Sequence, residues 1–62
     1  MLKQEFHHKL RDQVRMIHSE EEGEVIGRAE YTDAEPGYLV RYRAADGRQV
    51  ESWWGQSAVI AP

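Results

Sequence analysis

The feature that most constrains this chain is a β-hairpin sequence over residues 38–54, with Asp46-Gly47 near its tip. Asp-Gly between runs rich in Val, Tyr and Trp is one of the strongest short-range signals for a hairpin. The length of its loop sets which side chains face each other, and a shift of one residue sends every side chain to the opposite face. The loop length therefore decides which residues form the core.

Two loop lengths are possible, and the residues they pair distinguish them. A two-residue loop sets Tyr42 opposite Glu51, which combines an apolar side chain with a charged one. A three-residue loop, with Gly47 in the left-handed region as a bulge, gives matched pairs that contribute roughly 0.2–1 kcal/mol each. These pairs are Tyr42–Val50, Val40–Ser52 and Tyr38–Trp54 on one face, and Arg41–Glu51, Arg43–Gln49 and Leu39–Trp53 on the other. We predict the three-residue loop, with Trp54 facing inward and Trp53 outward.

The chain has 62 residues and no cysteine, so we expect one small domain without a disulfide or a thiolate metal site. A domain of this size buries only about 60% of the surface that its unfolded chain exposes. Self-association is one way to add stability to so small a core. No apolar run approaches the ~20 residues needed to span a bilayer, and the first residues lack the apolar core of a signal peptide. We therefore expect a cytoplasmic protein with no membrane partner.

Residues 1–11 are predicted to form a short helix or arm ahead of the main domain. Leu2, Phe6 and Leu10 recur every four residues, which is typical of one face of an amphipathic helix over residues 2–10. A helix of this length is too short to be stable alone. It must therefore dock on another part of the chain, or fray.

No set of residues with the spacing of a catalytic or cofactor-binding site is present in the sequence. It contains no Ser-His-Asp set, carboxylate pair, phosphate-binding loop or zinc pattern. His7 and His8 would point about 100° apart on a helix and could not easily share a metal, and His18 adds no suitable spacing. We predict no catalytic residue, no metal and no cofactor, and we favour a non-catalytic protein.

Residues 12–62 are predicted to contain four or five short strands on tight turns. The first strand lies within residues 13–18, the second spans residues 24–31, and a helical turn with a short last strand follows Trp54. The inner face of the second strand is predicted to carry Val25, Gly27, Ala29 and Tyr31, and its outer face Ile26, Arg28 and Glu30. Glycine within a strand often marks a bend, and bent strands suit a small barrel. The fold class we predict is all-β.

Four segments resemble those of SH3-like barrels. They are Asp12-Gln-Val-Arg15, Gly23-Glu-Val-Ile-Gly27, Gly37-Tyr-Leu-Val-Arg-Tyr42, and the tryptophan-rich fourth strand with Ser57-Ala-Val59. The chain resembles small bacterial and prophage proteins of uncharacterised function that share this layout. More distantly, it is similar to the plasmid-borne type II dihydrofolate reductases. The resemblance implies a small SH3-like barrel of about five short strands over residues 12–62, preceded by the short N-terminal helix.

The reductases resembled here are oligomers whose central pore binds NADPH and dihydrofolate. Their pore-lining Val-Gln-Ile-Tyr corresponds to Val50-Glu-Ser-Trp53, so Trp53 takes the position of the pore tyrosine. Met16 replaces a lysine of the family pattern, and Arg11 replaces a glycine. A symmetric pore would bring copies of Glu51 together, which disfavours anionic ligands. A reductase-like pore enzyme is therefore kept as an alternative function.

The outer face of the hairpin is the predicted binding surface. The candidate binding residues are Trp53, Leu39, Arg41, Glu51, Ile26 and Arg28. Aromatic residues and arginine are enriched at interface hot spots. We therefore expect a small non-catalytic interaction module that binds a protein partner or itself. The alternative explanation is that the N-terminal helix folds over this surface and covers it.

Nucleic-acid binding is a further alternative. The arginines that could form a basic face beside the aromatic residues are Arg15, Arg28, Arg41, Arg43 and Arg48. The net charge of −3 and the expected pairing of Arg41 with Glu51 weaken such a face. We therefore expect a protein partner in preference to a nucleic acid.

Overall fold

The computed structural model describes residues 6–62, which form one curled sheet with the outline of a half-barrel. The elements are β1 (Gln13–Met16), β2 (Glu22–Ala29), β3 (Gly37–Arg43), β4 (Gln49–Gly55), a 3-10 turn (Gln56–Ala58) and β5 (Val59–Ile60). All neighbouring strands are antiparallel, and their order across the sheet is β4-β3-β2-β1-β5. The prediction of an all-β fold is confirmed.

The core lies on one side of the sheet, which we call the inner face. Its buried side chains are Val14, Met16, Val25, Tyr38, Val40 and Val59, with Phe6, Tyr42 and Trp54 packed against them. The strands contribute these residues by alternation, because successive side chains in a strand point to opposite faces. A core this small leaves the other side of the sheet, the outer face, without a covering layer in residues 6–62.

The hairpin has the predicted register. Arg41 pairs with Glu51, Tyr42 with Val50 and Leu39 with Trp53 in the β3–β4 ladder, as expected for a three-residue loop. Gly47 has a φ of 90°, and the Ala44 N–H donates to the Arg48 carbonyl oxygen over 2.8 Å.

The two sides of this hairpin differ sharply in exposure. Val40 is completely buried, whereas Trp53 keeps 55% of its surface exposed. Trp54, the next residue, packs against the core. The inward direction of Trp54 and the outward direction of Trp53 are confirmed.

The predicted faces of β2 are wrong from Gly27 onward, whereas Ile26 lies on the outer side as predicted. Val25 lies opposite Val40, but Gly27 lies opposite Leu39, because a bulge at Ile26 adds one residue to β2. An extra residue reverses the alternation of the strand that carries it. Gly27 and Ala29 therefore lie on the outer face, and Arg28 lies opposite Tyr38 on the inner face. Tyr31, also predicted to face inward, lies beyond the end of β2 and is exposed.

The predicted N-terminal helix is wrong over the residues that the structure describes. Residues 6–11 form a bend and a turn, and residues 2–5 lie outside the described part of the chain. The Arg11 N–H donates to the Val25 carbonyl oxygen over 2.7 Å, and the Val25 N–H donates to the Asp12 carbonyl oxygen over 2.9 Å. These bonds to β2 hold residues 11–12 in a conformation that is incompatible with a helix.

Gly23 lies where β3 leaves no room for a side chain on β2. The sequence predicts that the second strand begins at residue 24, but Gly23 lies buried within β2, opposite Tyr42. A Cβ at Gly23 would lie 2.4 Å from the Arg41 carbonyl oxygen and 2.8 Å from Val40 Cγ1. We expect Gly23→Ala to lower the free energy of unfolding by about 3 kcal/mol or more, because the backbone of β3 would have to move to make room for the methyl group. Urea unfolding measures the loss.

Gly37→Ala is the matched control for Gly23→Ala. A Cβ at Gly37 would meet its nearest atoms at 3.4 Å or more, which is ordinary contact. We expect a loss of less than about 1 kcal/mol at this position, from strand packing alone. Equal losses for the two variants would contradict the proposed backbone clash.

Arg11 adopts a left-handed conformation, with a φ of 78°. That conformation costs an L-residue roughly 1–2 kcal/mol of strain, which glycine avoids. Glycine loses more conformational entropy on folding, so only part of the strain energy becomes a net gain in stability. We expect Arg11→Gly to raise the free energy of unfolding by about 0.5–1 kcal/mol. Arg11→Ala keeps the Cβ and should give no such gain. A gain for alanine equal to that for glycine would mean that removal of the arginine side chain, and not backbone strain, is responsible.

Candidate interaction surface

An apolar cluster lies on the outer face where β2, β3 and β4 run side by side. Leu39 and Trp53 are directly opposite each other, and Gly27 lies on the other side of Leu39. A Cβ at Gly27 would be 3.2 Å from Leu39 Cβ and 3.8 Å from Trp53 Cη2. The indole therefore reaches across β3 as far as the outer side of Gly27. We call Leu39, Trp53 and Gly27 the outer patch.

An ionic row borders the outer patch on the same face. Arg41 Nε lies 3.0 Å from Glu51 Oε2, and both side chains are about half exposed. Glu24 of β2 lies opposite Arg41 in the β2–β3 ladder, so an acidic residue stands on each strand that neighbours Arg41. Exposed ion pairs of this kind contribute only about 0–1 kcal/mol to stability. The row therefore contributes little to the stability of the fold. It places charged groups beside the outer patch.

Tyr31 adds a second exposed aromatic ring to this face. A Cβ at Gly37 would lie 3.4 Å from Tyr31 Cε2, so the ring covers the outer side of Gly37. The tyrosine keeps 48% of its surface exposed. The sequence predicts Tyr31 on the inner face because it extends the second strand to residue 31, whereas β2 ends at Ala29.

Ile26 borders a shallow cleft next to the ionic row. The cleft has a volume of about 430 Å³ and is lined by Leu10, Arg11, Glu24, Val25, Ile26 and Arg41. Ile26 is half buried, whereas Leu10 is exposed. The predicted site residues Leu39, Trp53, Arg41, Glu51 and Ile26 are thus neighbours on one side of the sheet.

Arg28 is the predicted site residue that the structure places elsewhere. Its guanidinium carbon lies 4.5 Å from the centre of the Phe6 ring, and its Nη1 donates to the His8 carbonyl oxygen over 3.3 Å. Both contacts are with the N-terminal segment on the inner side of the sheet. Arg28 therefore holds that segment and does not flank the outer patch.

Residues 6–8 dock on Tyr38, on the side of the sheet opposite the outer patch. The N–H groups of His7 and His8 donate to the Tyr38 hydroxyl over 2.8 and 3.3 Å, and that hydroxyl donates to Gln56 Oε1. The Phe6 and His8 rings meet the Tyr38 ring edge-on, at 5.9 and 5.2 Å between centroids. Within residues 6–11, the cover over Leu39 and Trp53 that was the alternative explanation is not formed.

Two further findings concern only the part of the chain that the structure describes. Across residues 6–62, no helix is long and apolar enough to span a membrane. Over the same residues, no group of three or more histidine, aspartate or glutamate side chains is arranged to hold a metal ion.

Comparison of the chain with protein-family models, curated proteins and solved structures found no match. The resemblances to SH3-like barrels and to the type II reductases therefore stay predictions. Any function has to be inferred from the residues and the geometry described above.

The Tyr38 hydroxyl uses its full hydrogen-bonding capacity, since it accepts two bonds and donates one. Tyr38→Phe should lower the free energy of unfolding by about 1–3 kcal/mol, because it leaves the buried His8 N–H unpaired, whereas the His7 N–H keeps its bond to Gln56 Oε1 over 3.1 Å. The His8 amide should also exchange faster with solvent, as measured by NMR. Tyr42→Phe is the matched control, because the Tyr42 hydroxyl makes no hydrogen bond within residues 6–62. Unchanged exchange at His8 in Tyr38→Phe would contradict the proposed docking.

Proposed function

We propose that this chain is a small interaction module with an SH3-like barrel fold, and that it binds a protein partner through the outer patch. The observation that carries the proposal is the position of Trp53. It is the most exposed of the large apolar side chains in residues 6–62, and it lies opposite Leu39 in the regular β3–β4 ladder. An aromatic side chain held in this way can enter a pocket on a partner with little loss of conformational freedom.

The strand arrangement supports the fold part of this proposal. Five short antiparallel strands follow one another, and a single 3-10 turn joins β4 to the short β5. The resemblance noted in the sequence implied this succession of elements over residues 12–62. The curled sheet with one small core is consistent with a barrel of this class.

The surroundings of the outer patch suit a protein partner. Apolar side chains at the centre of a binding surface, with arginine and polar groups at its rim, are typical of protein interfaces. Leu39 and Trp53 would form the centre, and Arg41 with Glu51 would form part of the rim. Because Arg41 and Glu51 already neutralise each other, a partner would gain orientation from this pair more than affinity.

The ion pairs favour a protein partner over a nucleic acid. Three of the arginines that could form a basic face lie 3.0 Å from a carboxylate, in the pairs Arg15–Glu22, Arg41–Glu51 and Arg48–Asp46. A phosphate backbone would have to compete with those carboxylates for each guanidinium. The same exposed Glu51 disfavours a symmetric pore for anionic ligands, since every added copy would bring another carboxylate.

Substitutions in the outer patch test the proposal. We expect Trp53→Ser and Leu39→Ser to weaken partner binding about tenfold or more, because hot-spot side chains contribute about 2 kcal/mol or more. Binding is measured by quantitative capture of interacting proteins with the immobilised chain, followed by titration of each purified partner. Solution mass from light scattering shows whether that partner is a second copy of the chain.

Ile60→Ser is the matched control for these variants. Ile60 is also an exposed apolar residue, but it lies in β5 at the opposite edge of the sheet. Its substitution should leave binding unchanged. Partner binding that survives both outer-patch substitutions, in proteins that unfold as cooperatively as the parent chain, would refute the proposal.

A further inference from the structure

β4 has a neighbour on one side only. It forms the edge of the sheet, and β3 is its partner within residues 6–62. The Ala44 N–H donates to the Arg48 carbonyl oxygen, and at the other end the Gln56 N–H donates to the Pro36 carbonyl oxygen over 2.9 Å. Both bonds join even-numbered residues across the ladder.

The main-chain groups of β4 therefore divide into two sets. Antiparallel partners alternate between hydrogen-bonded and non-bonded pairs, so Val50, Ser52 and Trp54 direct their N–H and C=O groups toward β3. The main-chain groups of Gln49, Glu51, Trp53 and Gly55 point away from the sheet. They form an open row of donors and acceptors along the edge.

This edge lacks the devices that usually prevent strands from pairing. Native edge strands are kept short, carry lysine or proline, or are interrupted by a bulge. β4 has seven residues, contains neither lysine nor proline, and pairs with β3 without a bulge. Its one charged residue, Glu51, is already bound to Arg41. The opposite edge, β5, has only two residues.

We propose that β4 pairs with β4 of a second copy of the chain, antiparallel and about a twofold axis at Ser52. In this register Glu51 lies opposite Trp53 of the second copy, and Gln49 lies opposite its Gly55. The four outward residues of each copy supply one donor and one acceptor each, which gives about eight main-chain hydrogen bonds. All seven residues of each strand are paired.

The side chains select this axis over its neighbours. An axis at Glu51 would set two carboxylates directly opposite each other, which is destabilising in a sheet. An axis at Trp53 would leave Gln49 and Val50 beyond the end of the partner strand. The axis at Ser52 sets half-buried Val50 against half-buried Trp54 of the second copy, and it covers apolar surface that one copy leaves exposed.

Pairing at this edge would also enlarge the outer patch. Trp53 lies next to the proposed axis on the outer face, so the dimer would carry both outer patches on one continuous face, one on each side of the axis. A second copy would thus be one partner of the chain. The dimer depends on the main-chain edge of β4, whereas the proposed function depends on the side chains of the outer patch. An experiment can therefore refute one proposal without refuting the other.

Amide exchange in the parent chain tests the pairing without any substitution. NMR exchange rates and light-scattering mass are measured together from micromolar to millimolar protein. We expect the mass to double, and the Glu51 and Trp53 amides to become at least tenfold better protected as it does so. The Val50, Ser52 and Trp54 amides, which bond to β3, should be protected at every concentration. A monomer at millimolar concentration, or a dimer in which the Glu51 and Trp53 amides still exchange freely, would overturn the proposal.

Glu51→Pro removes one outward N–H and leaves the bonds to β3 in place. Proline is tolerated at such a position, where the main-chain nitrogen of an edge strand faces away from the sheet. We expect it to weaken dimerisation at least tenfold. Glu51→Ala is the matched control, because it loses the same ion pair but keeps the N–H, and it should dimerise as the parent chain does. Equal dimerisation by the two variants would refute the strand pairing; if Glu51→Pro does not fold, the exchange rates of the parent chain decide.

Trp53→Ser separates this inference from the proposed function. It keeps the N–H and C=O groups of residue 53 and removes only the side chain. Loss of binding to a different protein, with the dimer retained, would support both proposals. If Trp53→Ser keeps both the dimer and the binding to a different protein, the strand pairing is supported and the role of the outer patch is refuted.

Discussion

The left-handed conformation of Gly47 sets the register of β3 against β4, and the rest of the surface depends on that register. With a φ of 90° at Gly47, the loop has three residues and Trp53 lies opposite Leu39. A loop one residue shorter would bring Trp53 opposite Val40, on the face that forms the core. One backbone conformation thus decides which tryptophan is available for binding and which packs against the core.

A bulge in β2 likewise decides which residues of that strand face the core. The bulge at Ile26 moves Gly27 to the outer face and turns Arg28 toward the inner face. The outer patch depends on this change, because it puts a residue without a side chain beside Leu39 and the tip of the Trp53 indole. Gly27 indicated a bend in this strand, but residues 24–31 did not show that the faces exchange, because glycine and alanine are small enough to fit either face of a strand.

The N-terminal segment shows how tertiary hydrogen bonds override a local pattern. The spacing of Phe6 and Leu10 is helical, but so short a helix gains little from its own hydrogen bonds. Docking on the Tyr38 hydroxyl and main-chain bonds to β2 satisfy the same N–H groups in another conformation. No inspection of residues 1–11 alone could have revealed a partner 30 residues away.

The sequence by itself determined the hairpin, its register and the opposite directions of Trp53 and Trp54, because a turn and its flanking strands depend on residues close together in the chain. It also identified Leu39, Arg41 and Glu51 as outward neighbours of Trp53. Only the tertiary structure decided where β2 bulges, which face Arg28 and Tyr31 join, and which edge of the sheet stays open. Those features arise from contacts between strands far apart in the chain, where the packing of neighbours outweighs local alternation.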